Sequence, residues 1–178
     1  MPLTLSDAAL DWSLKHAIAW GDTDIFPPVF EFEAISDDWN NVKASIQGAD
    51  ILKWKVRPYR RCLVPKHRFG FRISTQLDPL DFLVFTALIR EAGEKLEACR
   101  IPIAENIVHS YRFAPEADGR MYSDKCTYRS FQKASHDACD AFNPSYVVIA
   151  DIADFFPRLY THRIDNALDG ALGIGHMH

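Results

Sequence analysis

The residue with the clearest chemical potential in this sequence is Asp151, which follows the apolar run Tyr146-Val147-Val148-Ile149-Ala150. Such a β-branched run reads as a buried strand, and it delivers a carboxylate to the point where the strand stops. A carboxylate so placed suits a divalent cation, and a strand-capping Asp in an ordinary α/β domain is the alternative. Asp154, Phe155, Phe156 and Pro157 follow at once. A second chemical feature is a basic stretch. Residues 51–77 hold Lys53, Lys55, Arg57, Arg60, Arg61, Lys66, Arg68 and Arg72 without an acid, giving +8, whereas residues 1–50 carry −7 and the remainder −5. Trp54, Tyr59, Phe69 and Phe71 interleave the bases as on nucleic-acid surfaces, so the stripe points to a polyanion or a nucleoside triphosphate; a solvated face is the alternative.

These residues need elements to hold them. Ser6 can cap a helix whose apolar positions Ala9, Leu10, Trp12, Leu14, Ala17, Ile18 and Trp20 end at Gly21. A turn rich in Gly, Asp and Pro follows, then a helix from about Ala34 to Gln47. Residues Ile51 to Thr75 alternate as strands, with Arg57-Pro58 and Val64-Pro65 blocking a helix and Arg68-Phe69-Gly70 offering a tip, which predicts a basic β-hairpin. An amphipathic helix is predicted from Pro79 to Cys99, a strand from Ile107 to Phe113, a loop over Ala114 to Gly119, and a helix from Tyr128 to Phe142 leading into the strand before Asp151.

With 178 residues, 48% hydrophobic and 25% charged, the chain has the composition of a folded domain. It contains no run of 18 apolar residues and opens with no secretory signal, so a cytoplasmic protein without a membrane span is expected. Cys62, Cys99, Cys126 and Cys139 lack both zinc-site spacing and disulfide density and are read as reduced and structural, His136 near Cys139 notwithstanding.

Asp151-Ile152, then Phe155-Phe156-Pro157, then Leu159-Tyr160-Thr161-His162 and Ala167-Leu168 together resemble the first palm motif of reverse transcriptases, in the form found in bacterial defence enzymes of the abortive-infection type. Further blocks occur in the same order as in that family's N-terminal half: Gly21 to Pro27, Phe30-Glu31-Phe32, Arg57-Pro58, Leu63-Val64-Pro65-Lys66, Phe71-Arg72-Ile73, Leu77 to Asp81 and Ser110 to Phe113. The resemblance implies a mixed α+β fold, with residues 1–110 a helical N-terminal extension and reverse-transcriptase-like fingers carrying the basic β-hairpin, and residues 111–178 the start of an incomplete palm. It implies Mg²⁺ as cofactor, bound by Asp151 and the backbone carbonyl of Ile152, and deoxynucleoside triphosphates met by Lys66 and Arg72 from the fingers. Phe156 is similar to the aromatic gate that excludes a 2′-hydroxyl, with a core residue beneath the palm as the alternative. Asp154 and Phe155 complete the nucleotide-proximal set, Asp154 read mainly as a cap and Phe155 as core. Amides at the following helix start favour the triphosphate.

Two-metal transfer needs further aspartates, usually in a later Tyr/Phe-x-Asp-Asp hairpin, and only 27 residues follow Asp151. Tyr122-Ser123-Asp124 and Ser36-Asp37-Asp38 precede the motif and lie outside apolar strands, so neither substitutes. The expectation is therefore the N-terminal part of an RNA-directed DNA polymerase in antiphage defence. It would act on an RNA template, DNA or both, and stay inactive until a missing palm and thumb segment or partner subunit completes it. The alternatives are a non-catalytic nucleic-acid-binding or regulatory module, and template-independent DNA synthesis by the complete enzyme.

Overall fold

The computed structural model describes residues 3–21, 29–152, 155 and 158–172. Among them the fold is mixed α+β, with six α-helices and a two-stranded antiparallel hairpin. Helix α1 (Asp7–Trp20) starts where Ser6 Oγ accepts the Ala9 N–H at 3.3 Å and stops at Gly21, whose φ of 71° lies in the region that glycine occupies without strain. The helix expected over 34–47 is two helices, α2 (Glu31–Asp37) and α3 (Trp39–Gln47). They break at Asp38, where φ −115° and ψ 32° leave the helical range and the carboxylate accepts from Asn41 Nδ2 at 2.6 Å. An Asp that bonds locally competes with helix continuation. A 3₁₀ turn at Ile51–Lys53 replaces the beginning of the expected strand region, and strands β1 (Arg60–His67) and β2 (Gly70–Gln76) form the hairpin. Helices α4 (Pro79–Ala98), α5 (Tyr128–Phe142) and α6 (Thr161–Leu172) complete the elements.

The chain divides into two compact units, one of residues 1–91 with 114–121, the other of residues 92–113 with 122–178. The first unit holds the buried apolar core. Leu5, Ala9 and Leu10 pack with Ile46, Val84 and Ala87, and Leu14 and Ala17 with Val29, Phe32, Phe82 and Leu83. Each fully buried aliphatic or aromatic side chain contributes about 1.5–3 kcal/mol, so these two clusters, drawn largely from α1, α2, α3 and α4, are the main source of this unit's stability. The segment 114–121 is clamped onto α1. Trp12 Nε1 donates to the Glu116 carbonyl at 2.7 Å, and His16 Nδ1 lies 2.7 Å from the Gly119 carbonyl with its ring stacked between Trp12 and Phe82.

The second unit has no fully buried apolar side chain among its described residues. A polar cluster organises it instead. Glu97 accepts from Arg112 Nη1 at 2.8 Å, Arg100 Nη1 at 3.0 Å and the Phe113 N–H at 3.0 Å, while Arg112, only 4% exposed, also donates to the Ile101 carbonyl. Gly93 on α4 lies against the Phe113 ring so closely that a Cβ would overlap it. Two expected strands are absent here. Ile107 to Phe113 contributes only the single bridge Phe113↔Tyr122. The run Tyr146 to Ala150 joins no ladder and is exposed rather than buried, with Tyr146 at 90%, Val148 at 89% and Ile149 at 92%. Strand propensity marks a segment that suits a pleated surface, but a partner must satisfy its backbone, and none of the described residues does so here.

Candidate functional site

The hairpin is built from the register outward. Arg60 pairs with Gln76, Cys62 with Ser74 and Val64 with Arg72 on one face; Arg61 pairs with Thr75, Leu63 with Ile73 and Pro65 with Phe71 on the other. The ladder shifts between Pro65 and His67, so Lys66 sits at the irregularity. A proline has no N–H for a ladder, and strands admit it at such bulges. Both Lys66 and Arg72 are exposed, close to the tip formed by Arg68 and Phe69.

The base of the hairpin is anchored twice. Arg60 Nη2 meets Glu31 Oε1 at 2.8 Å, and that pairing with Arg60 holds Glu31 below its ordinary carboxylate value. The second anchor is Asp81 in the first turn of α4, almost fully buried, whose carboxylate accepts from Trp54 Nε1 at 2.7 Å, the Arg57 N–H at 2.6 Å and Arg57 Nη1 at 3.0 Å. The Arg57 guanidinium lies over the Trp54 ring, 5.4 Å from its centroid. Asp81 thus fixes the segment that leads into β1. In the sequence Asp81 stands only within the block Leu77 to Asp81, and this role is not legible there because its partners lie 24 and 27 residues away. The same anchoring engages Arg57 and Arg60 in ion pairs, although Arg60 stays exposed, and Arg61, Lys66, Arg68 and Arg72 are the other exposed basic residues of the hairpin.

In the second unit Asp151 and Ile152 are both exposed, and Asp151 Oδ1 accepts the Ile152 N–H at 2.9 Å. Phe155 is also exposed, contrary to its reading as a core residue. Asp154 and Phe156 lie outside the described residues. Lys66 and Arg72 therefore share one hairpin in the first unit, and Asp151, Ile152 and Phe155 share one segment in the second. Among the described residues no three His, Cys, Asp or Glu side chains assemble a metal-binding group. The oxygen donors of Asp151 and the Ile152 carbonyl are of the type that magnesium prefers, but a single carboxylate is a fraction of the set that two ions require. The four cysteines are free. No helix among the described residues is long and apolar enough to cross a membrane. No protein-family model, no curated protein and no solved structure matches the chain.

Proposed function

We propose that this chain is the fingers and the beginning of the palm of an RNA-directed DNA polymerase with a role in antiphage defence. The observation that carries the reading is the exposed basic hairpin Arg60–Gln76, which places Lys66 and Arg72 near one tip at the positions where the sequence blocks resemble the triphosphate-closing fingers. Arg72 can grip phosphate oxygens with a planar fork and Lys66 as a point charge. Asp151 and the Ile152 carbonyl would hold Mg²⁺, which supplies charge stabilisation to the attacking and leaving oxygens, with the remaining carboxylates coming from polypeptide outside these 178 residues. The apolar run before Asp151 is exposed and forms no strand, so the palm reading requires further polypeptide to pair with it and cover it. Phe156 would select the deoxyribose, and synthesis could be templated or template-independent.

A second reading, a nucleic-acid-binding module without chemistry, is favoured by one observation: among the described residues Asp151 belongs to no group of three or more His, Cys, Asp or Glu side chains that could hold a metal ion. Primer extension separates the two. In the polymerase as it assembles in its native cell, Asp151→Asn abolishes synthesis and leaves nucleic-acid binding unchanged, while Arg72→Ala raises the apparent KM for deoxynucleotides. An assembly that binds nucleic acid but never incorporates a nucleotide supports the module.

A further inference from the structure

The hairpin has an inverted face. In a half-buried antiparallel sheet apolar side chains face the core and polar ones face water. Here Leu63, Phe71 and Ile73 are 71%, 69% and 59% exposed, and the register puts them on one face together with Pro65. The opposite face carries the partly buried Val64 and the buried Gln76. An isolated two-stranded hairpin is marginal in water, and an apolar cross-strand cluster left to solvent adds to that cost. Around the cluster sit cations. Arg61 stands at the base of the same face, and Arg68 at the tip lies over the Phe69 ring, 5.2 Å from its centroid.

We propose that this face binds unpaired nucleobases, so that the hairpin is a docking platform for single-stranded nucleic acid. Phe71 and Phe69 offer rings on which bases stack, Leu63, Pro65 and Ile73 offer flat apolar contact beside them, and Arg61 and Arg68 meet the backbone phosphates. Charge complementarity selects this occupant. Residues 51–77 carry eight bases and no acid, which suits a polyanion and opposes a second copy of the chain set face to face, since like charge would meet like. The cores of protein interfaces are depleted of charge, whereas aromatic side chains interleaved with bases are the surface that single strands use. A duplex hides its bases within the stack and leaves the apolar cluster nothing to cover. The inference rests on the nucleic-acid-binding reading above and deepens it, but it does not need nucleotide incorporation: it concerns the face of Leu63, Phe71 and Ile73, whereas incorporation concerns Lys66, Arg72 and Asp151, so either can fail without the other.

The test is fluorescence anisotropy of the 178-residue chain with labelled strands of about 16 nucleotides, the upper range for one single-strand platform. Four probes are compared: a mixed-sequence DNA strand, the same sequence as RNA, the same DNA backbone with abasic sites, and the blunt duplex. The base-bearing single strands bind about tenfold or more tighter than both the abasic strand and the duplex, and the DNA and RNA arms distinguish the two sources. Phe71→Ala and Leu63→Ser remove that preference while the salt dependence persists; Arg61→Glu with Arg68→Glu weakens binding to every probe. Equal affinity for the base-bearing and abasic strands overturns the proposal, and so does preference for the duplex. Absence of binding, with self-association in sedimentation that Phe71→Ala abolishes, also overturns it and assigns the face to a second copy. The wild-type comparison needs no variant to fold.

Discussion

Glu97 and Arg112 show at the residue scale how a partly buried carboxylate is kept ionised by its partners. Burial by itself raises the Glu97 carboxyl, and the hydrogen bonds from Arg112, the Phe113 N–H and Arg100 outweigh it, so the group sits below its ordinary value of 4.5. A carboxylate whose folded pKa is depressed contributes stability that is present above its unfolded value and is lost as pH falls through the folded one. Chemical-denaturation midpoints should therefore decline below about pH 4.5 in the wild type and decline less steeply in Glu97→Gln. Glu97→Ala leaves the buried Arg112 guanidinium without its carboxylate and should cost about 3 kcal/mol. His16 acts in the first unit. Burial lowers it below 6.5 and the Gly119 carbonyl partly restores it. The unfolded chain therefore binds the proton first, and the stability due to neutral His16 is full above pH 6.5 and falls below it. A histidine NMR titration with its midpoint above 6.5 contradicts this. None of these roles was legible in the sequence: the carboxylates at 81 and 97 and the imidazole at 16 take their meaning from partners remote in the chain.

Among the elements, those with local signals were legible and those that depend on a partner were not. Ser6 and Gly21 bracket α1 as expected, and Tyr128 to Phe142 is the helix expected there, closed by a Thr127–Ser130 capping box and by Asn143 at φ 43°. The hairpin followed from its alternation and its prolines. The run before Asp151 had the composition of a strand but lacks a ladder, because pairing is a property of two segments and only one was read. A close backbone approach, that of residues 114–121 to α1, was also invisible in the sequence. Gly119 has φ 92°, and a Cβ there would lie 2.7 Å from the His16 nitrogen and 2.8 Å from the Lys15 carbonyl carbon, both backbone atoms that cannot swing aside. Gly119→Ala should thus destabilise the first unit by about 2 kcal/mol, read as a lower denaturation midpoint, whereas Gly170→Ala, which lies in α6 of the second unit and meets nothing, should leave the first unit's midpoint unchanged and not weaken the second. Equal effects at the two glycines would contradict the clamp.

For the whole molecule, the uneven charge matters more than the total of −4. Binding to any nucleic acid should weaken steeply with salt, because each neutralised phosphate releases counterions, and Arg61→Glu with Arg72→Glu should flatten that slope. Phe156→Ala should raise ribonucleotide relative to deoxynucleotide incorporation, measured as a ratio of kcat/KM values. Sequence blocks led to the polymerase reading, and the structure contributes an exposed basic hairpin, a second unit without a buried apolar core among its described residues, and a solvent-facing Asp151. The most direct test is primer extension with magnesium and deoxynucleotides by the natively assembled protein, wild type against Asp151→Asn. The amide is nearly isosteric but cannot supply the anionic charge that holds magnesium. The account predicts synthesis by the wild type and none by Asp151→Asn, at equal affinity for nucleic acid. Synthesis retained by Asp151→Asn would contradict it.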